Sequence, residues 1–112
     1  MDLRKLQDRL QAFADARDWN QFHSPKNLAM ALSVETAELV EIFQWLTEAQ
    51  SRDLSASQRS ALADEIADVQ IYLARIADMT DIDIEASVER KLIKNALKYP
   101  VPPGLNFPAD ST

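Results

Sequence analysis

The chain contains no cysteine, which excludes disulfide frameworks, thiolate catalysis and cysteine-ligated metals. It has a single histidine, His23, through which any Ser/His/Asp chemistry would have to run. One glycine in 112 residues, with prolines crowded towards the C-terminal end, argues against a sandwich or barrel of many short strands and for a few long helices. The longest uninterrupted apolar run, Leu28 to Leu32, falls far short of the ~20 residues that a membrane span needs. Positive charge is in deficit: 12 Lys+Arg face 18 Asp+Glu, for a net charge of −6. That balance removes the electrostatic case for binding a nucleic acid polymer or an anionic membrane. What is present is a globular composition, 46% hydrophobic and 27% charged, of a length that suits one core rather than two. Met1 to Leu10 alternates charged and apolar residues, unlike a signal peptide. A soluble, cytoplasmic, all-α protein is expected.

Apolar spacing and caps predict four helices. The first opens at Asp2 and carries Leu3, Leu6, Leu10 and Phe13 on one stripe, fading near Arg17 into a short segment from Asp18 to His23. Ser24-Pro25, a cap followed by proline, starts the second, which is expected to run to about Glu48 with Leu28, Leu32, Leu39, Ile42, Phe43 and Leu46 on its apolar face. A loop over Ala49 to Ala56 follows. Ser55-x-x-Gln58 fits a capping box and launches the third helix, to about Met79, with Leu62, Ile66, Val69, Leu73 and Ile76 inward. Asp83 caps the fourth, which ends at Tyr99-Pro100. Residues 1–100 are thus expected to form one all-α domain and residues 101–112 a Pro-rich tail. The stripes are too wide to leave in water, so a four-helix-bundle-like arrangement is expected, with leftover apolar surface covered in a dimer or tetramer.

Two acidic clusters interrupt this pattern. Glu35, Glu38 and Glu41 succeed one another at i, i+3 steps on the second helix, and Asp64, Glu65 and Asp68 lie on the third. Like charges at that spacing repel. Glu35 and Glu38 sit within the richest apolar stretch of the chain, and Glu65 and Asp68 adjoin Ile66 and Val69, so both pairs lie at the edge of a buried stripe. One such pair alone is commonplace on a solvated helix; two on consecutive antiparallel helices would converge on one patch. A hard dication with oxygen ligands is the obvious neutraliser, and Mg2+, with Mn2+ able to stand in, fits best. A di-iron carboxylate bundle is disfavoured because no histidine lies near either pair.

With these residues in view the chain resembles a known family. Glu35-x-x-Glu38, 26 intervening residues and Glu65-x-x-Asp68 look like the metal-binding signature of the all-α nucleoside triphosphate pyrophosphohydrolases, the MazG-like superfamily. Arg17-Asp18-Trp19-Asn20-Gln21-Phe22-His23, Pro25-Lys26-Asn27-Leu28, Phe43-Gln44-Trp45, Asp68-Val69-Gln70-Ile71-Tyr72-Leu73, and Lys91 with Asn95, Lys98, Tyr99 and Pro100 resemble its dCTP pyrophosphatase branch. The match runs from about residue 3 to 101. It implies a MazG fold assembled as dimers or dimers of dimers, with sites drawn from more than one chain. It also implies Mg2+ held by Glu35, Glu38, Glu65 and Asp68, and hydrolysis of dCTP or its 5-modified forms to the monophosphate and pyrophosphate. By the same resemblance Trp19, Trp45 and Tyr72 line the base pocket.

Chemistry fills in the remaining roles. Glu38 or Glu41 is the candidate to take a proton from the attacking water. Lys91, Asn95 and Lys98, at steps of four and three, present one helix face able to grip phosphate oxygens, with Tyr99 beside it; the plainer account of the lysines is a solvated helix end that suits the macrodipole. Phe22 and Phe43 read as core. Leu10 stands where animal members of the branch carry histidine, which leaves room for a broader base preference, and His23 is either structural or close to the pocket. The alternative from another class is a non-catalytic helical oligomer that binds nucleotides or a protein partner.

Overall fold

The computed structural model describes residues 1–104, and among them every regular element is helical. The helices are α1 (Leu3–Ala16), α2 (Pro25–Phe43), α3 (Glu48–Ser51), α4 (Ala56–Met79) and α5 (Ile84–Lys98). Each predicted cap is in place. Asp2 accepts from the Lys5 amide, Ser24 from Asn27, Asp83 from Ala86, and Ser55 and Gln58 close a reciprocal capping box. By contact the chain divides into two compact units, Met1–Asp81 and a second that begins at Ile82. The expected tail begins with exposed residues and a turn at Pro103-Gly104, where glycine takes φ +89°; the rest of it lies outside the described residues.

Within the first unit α4 is the spine. It packs along α2 over much of its length and along α1 over less. Both neighbours run antiparallel to it. Arg4 reaches Asp78, and Gln7 donates to the Ala74 carbonyl at 3.0 Å, whereas Leu10 and Ala14 meet Asp68 and Ile71 around one cavity. On α2, Leu28 joins Tyr72 in lining that cavity while Glu35 and Glu38 lie against Glu65, so numbers rise on one helix as they fall on the other.

The second helix is shorter than predicted. It stops at Phe43, the chain turns through Gln44 to Leu46, and Thr47 with Gln50 forms a further capping box that starts α3. Thr47-x-x-Gln50 is the same signal as Ser55-x-x-Gln58, and a residue that can accept from two amides ahead of it favours restarting a helix over continuing one. The predicted loop therefore carries a helical turn.

Several residues expected inside are not. Ile66 is 54% exposed, and Leu73, Phe13, Val88 and Phe22 also stand in solvent. Among the described residues the buried apolar set is Ala14, Leu28, Ala74 and Ala77. Small residues dominate because α1 and α2 both press on α4, and close helix approach leaves room for methyl groups rather than for large side chains. Phe22 lies in the α1–α2 connection and is 61% exposed.

The caps sit on exposed ends where packing does not decide. Ser55→Ala removes one half of the capping box that launches the longest helix, and is expected to lower stability by about 1 kcal/mol. The urea midpoint at fixed protein concentration measures it; an unchanged midpoint would show that α4 is held by packing alone.

Candidate active site

Glu35 and Glu38 are one turn apart on α2, and Glu65 faces them from α4. One carboxylate oxygen from each of the three lies within 4.8 Å of the others, and all three side chains are half-buried. Oε2 of Glu35 and Oε2 of Glu65 are buried with no hydrogen-bond partner. Both are acceptors, so a hydrogen-bond donor, a proton or a cation would relieve them.

The electrostatics record that strain. Partial burial, the contact with Glu35 and the charge of Glu38 push the Glu65 carboxyl up to about 7 from 4.5. For Glu35 the contact with Glu65 works downwards, but burial and the charges of Glu38 and Asp68 outweigh it and the net shift is up. Asp68 is not within the tight group of three. It lies one turn along α4, close enough for its charge to act on Glu35 and Tyr72. Glu41, a turn beyond Glu38, is exposed and also outside the group. An all-oxygen donor set with orphaned acceptor atoms is what a hard dication fits, so the cluster could hold a metal ion.

Next to the carboxylates is a cavity of about 270 Å³. Asp68 and Tyr72 line the side nearest them; Trp19, His23, Leu10 and Arg75 line much of the remainder. The Trp19 ring is held edge-on by Phe13 at 5.4 Å between centroids and lies 5.8 Å from His23. Asp18, in the left-handed region at φ 54°, turns the chain so that Trp19 follows α1 directly. Tyr72 is pushed up by burial and by the charges of Glu35 and Asp68, which keeps its hydroxyl a donor. Burial and the charge of Arg75 pull His23 down, so it stays neutral.

Trp45 does not line this cavity within one chain: it is 87% exposed, in the turn after α2. Lys91, Asn95, Lys98 and Tyr99 belong to the second unit. There Asn95 is half-buried, the other three are exposed, and Lys98 lies 5.3 Å from the Tyr99 ring.

Arg75 was missed by sequence reasoning. Its position carried a signal: it falls three residues after Tyr72 and seven after Asp68, on the same face of α4, a charge where the stripe is buried.

The MazG-like family model matches residues 30–110. The chain belongs to the MazG-like family. It is 40% identical over 102 residues to dCTP pyrophosphatase 1 of Rattus norvegicus and 41% identical over 101 residues to dCTP pyrophosphatase 1 of Homo sapiens. Those alignments cover 89% and 88% of this chain, which spans 58% of the length of each relative. It also superimposes on the crystal structure of a pyrophosphatase from Archaeoglobus fulgidus with a TM-score of 0.83 at 40% identity, covering 90% of this chain and 94% of that one. The family membership and the all-α MazG fold expected from the motifs are thus borne out.

The carboxylate cluster makes a testable statement about pH. In metal-free protein Glu65 keeps its proton up to about 7, whereas the unfolded chain releases it near 4.5. Between those values the folded state binds more protons, so stability is expected to fall as pH rises from about 5 to 8. Mg2+ should raise the melting temperature most at the upper end, and Glu65→Gln should flatten the metal-free profile. A metal-free melting temperature that holds steady over this range, with no response to millimolar Mg2+, would remove the cluster as a site.

Proposed function

We propose that the chain is a Mg2+-dependent nucleoside triphosphate pyrophosphohydrolase that acts in the cytoplasm on dCTP or 5-modified dCTP, giving the monophosphate and pyrophosphate. The observation that carries this reading is the meeting of Glu35, Glu38 and Glu65, from two helices, beside a cavity lined by Trp19 and Tyr72. An acidic cluster alone would repel a polyanionic substrate; beside a ring-lined pocket of nucleobase size it becomes the phosphate end of a nucleotide site.

Glu35, Glu38, Glu65 and Asp68 would hold the ion. When bound, Mg2+ neutralises phosphate oxygens and lowers the pKa of a coordinated water. Glu38 or Glu41 accepts the proton of the attacking water, Glu41 being the one that stands free of the tight group. Trp19 and Tyr72 stack on the base or bound its plane, and Trp45, which is open to solvent in one chain, serves a site completed by a second copy. Lys91, Asn95, Lys98 and Tyr99 grip phosphate oxygens through charge-assisted hydrogen bonds.

Incubation of the protein with dCTP and Mg2+ should release pyrophosphate and dCMP. Glu38→Gln or Asp68→Asn should abolish turnover with helicity unchanged; full activity in either variant would reject the assignment of that residue, and absence of turnover in the unaltered protein would reject the enzyme reading.

Exposed apolar residues support an oligomer. Met30, Val34 and Val40 recur along the outer face of α2, and Ile66 and Leu73 along that of α4, while the buried apolar set among the described residues is small. Light scattering should give the mass of a dimer or a dimer-of-dimers tetramer, and the pair Val34→Asp and Ile66→Lys should reduce the mass or the melting temperature. A monomer as stable as either variant would reject the assembly.

A further inference from the structure

The wall of the cavity away from the carboxylates carries a cation whose counter-charge is held at one remove. Arg75 is 3% exposed and lines the cavity, yet among the described residues no carboxylate is bonded to it. One terminal nitrogen donates to Gln11 Oε1 at 2.6 Å, and the other reaches Asn20 Oδ1 at 3.4 Å. Gln11 and Asn20 in turn donate to Asp15 Oδ1, at 2.7 and 2.5 Å, so the counter-charge sits one amide away. The two amides hold the guanidinium plane by its outer nitrogens. The Nε–H is left buried with no acceptor.

A buried donor with no acceptor is destabilising, the more so on a charged group, and a ligand oxygen that reached it would remove that cost. The neighbouring polar atom points the same way. His23 Nδ1 is buried and unpartnered, and His23 lines the same cavity. With Trp19 and Tyr72 also in the wall, the space of about 270 Å³ offers room for an aromatic ring system.

From this geometry, and resting on the reading of the cavity as a base pocket, we infer that Arg75 determines base specificity by donating its Nε–H to a ring carbonyl oxygen. Cytosine and the other pyrimidines carry such an oxygen at C2 and guanine carries one at C6, whereas adenine carries none, so the contact selects against adenine. A site built around a buried charged donor rejects a ligand that leaves the donor unpaired more strongly than an apolar pocket rejects a wrong shape. Seven residues separate Arg75 from Asp68 on one helix face, a rise of ~10.5 Å. That spacing places the carbonyl reader at the base and the carboxylates at the phosphates of one extended nucleotide.

The test uses neutral nucleosides without metal, so that the acidic cluster does not enter. By calorimetry the unaltered protein should bind deoxycytidine at least about tenfold more tightly than 2-thiodeoxycytidine, whose sulfur is a weak acceptor, and than deoxyadenosine, the loss expected for one hydrogen bond to a charged donor. Arg75→Lys keeps the charge without the Nε–H and should bind the three within about threefold of one another. Equal binding of deoxycytidine and its 2-thio analogue by the unaltered protein would overturn the inference, as would an Arg75→Lys protein that keeps the tenfold preference. Should the variant fail to fold by circular dichroism, the oxygen–sulfur comparison on the unaltered protein decides alone. Pyrophosphate release from dCTP is scored separately: a protein that discriminates the nucleosides but does not cleave dCTP loses the enzyme reading and keeps this one.

Discussion

Three carboxylates within 4.8 Å of one another repel, and the packing of α2 on α4 is what holds them together. The rest of the first unit can be read from that constraint. Helix packing strong enough to oppose the repulsion needs a long antiparallel contact, which α4 supplies as the longest helix, capped at its start by Ser55 and Gln58. The strain is visible as oxygens without partners and as a Glu65 carboxyl displaced to about 7. A fold that had no use for the cluster would lose nothing by replacing one glutamate with glutamine, which would satisfy two neighbours as a donor.

Much of this was legible in the residues. The caps at Asp2, Ser24, Ser55 and Asp83 are local, since a side chain accepts from an amide three positions on, and no tertiary information is needed to see them. Glu35-x-x-Glu38 and Glu65-x-x-Asp68 were legible for a similar reason: a three-residue step on a helix is a geometric statement. What the step does not fix is how far a side chain reaches across to the other helix. Glu65 joins the α2 pair and Asp68, shorter by one methylene and a turn further along, does not. The restart at Thr47 was written in the same chemistry as the start at Ser55, but the apolar residues Phe43 and Leu46 just before it continue the helical spacing and mask the break.

Burial was the part that periodicity could not reach. Spacing identifies the apolar face of a helix, not how much of that face a single chain covers. Ile66 and Leu73 are on the apolar side of α4 by period and in solvent by structure, because α1 and α2 occupy the part of that side where Ala74 and Ala77 allow close approach. On the proposed assembly the two descriptions agree, the large residues being inward with respect to the oligomer and outward with respect to the chain.

Arg75 explains how an acidic chain keeps a permanent cation so near a carboxylate cluster without the two cancelling. Its outer nitrogens are committed to Gln11 and Asn20, and through them to Asp15, which those amides and the guanidinium charge together hold below the usual carboxylate range. Arg75 is therefore balanced from the α1 side, and it does not swing along α4 to pair with Asp68. One turn closer, a guanidinium on this face would neutralise Asp68 and take from the cluster the negative charge that a dication needs. One turn further, it would leave the cavity. The distance between the two charges on α4 is thus the variable that lets one helix carry both, an acidic end that needs a cation and a cationic end that needs an acceptor.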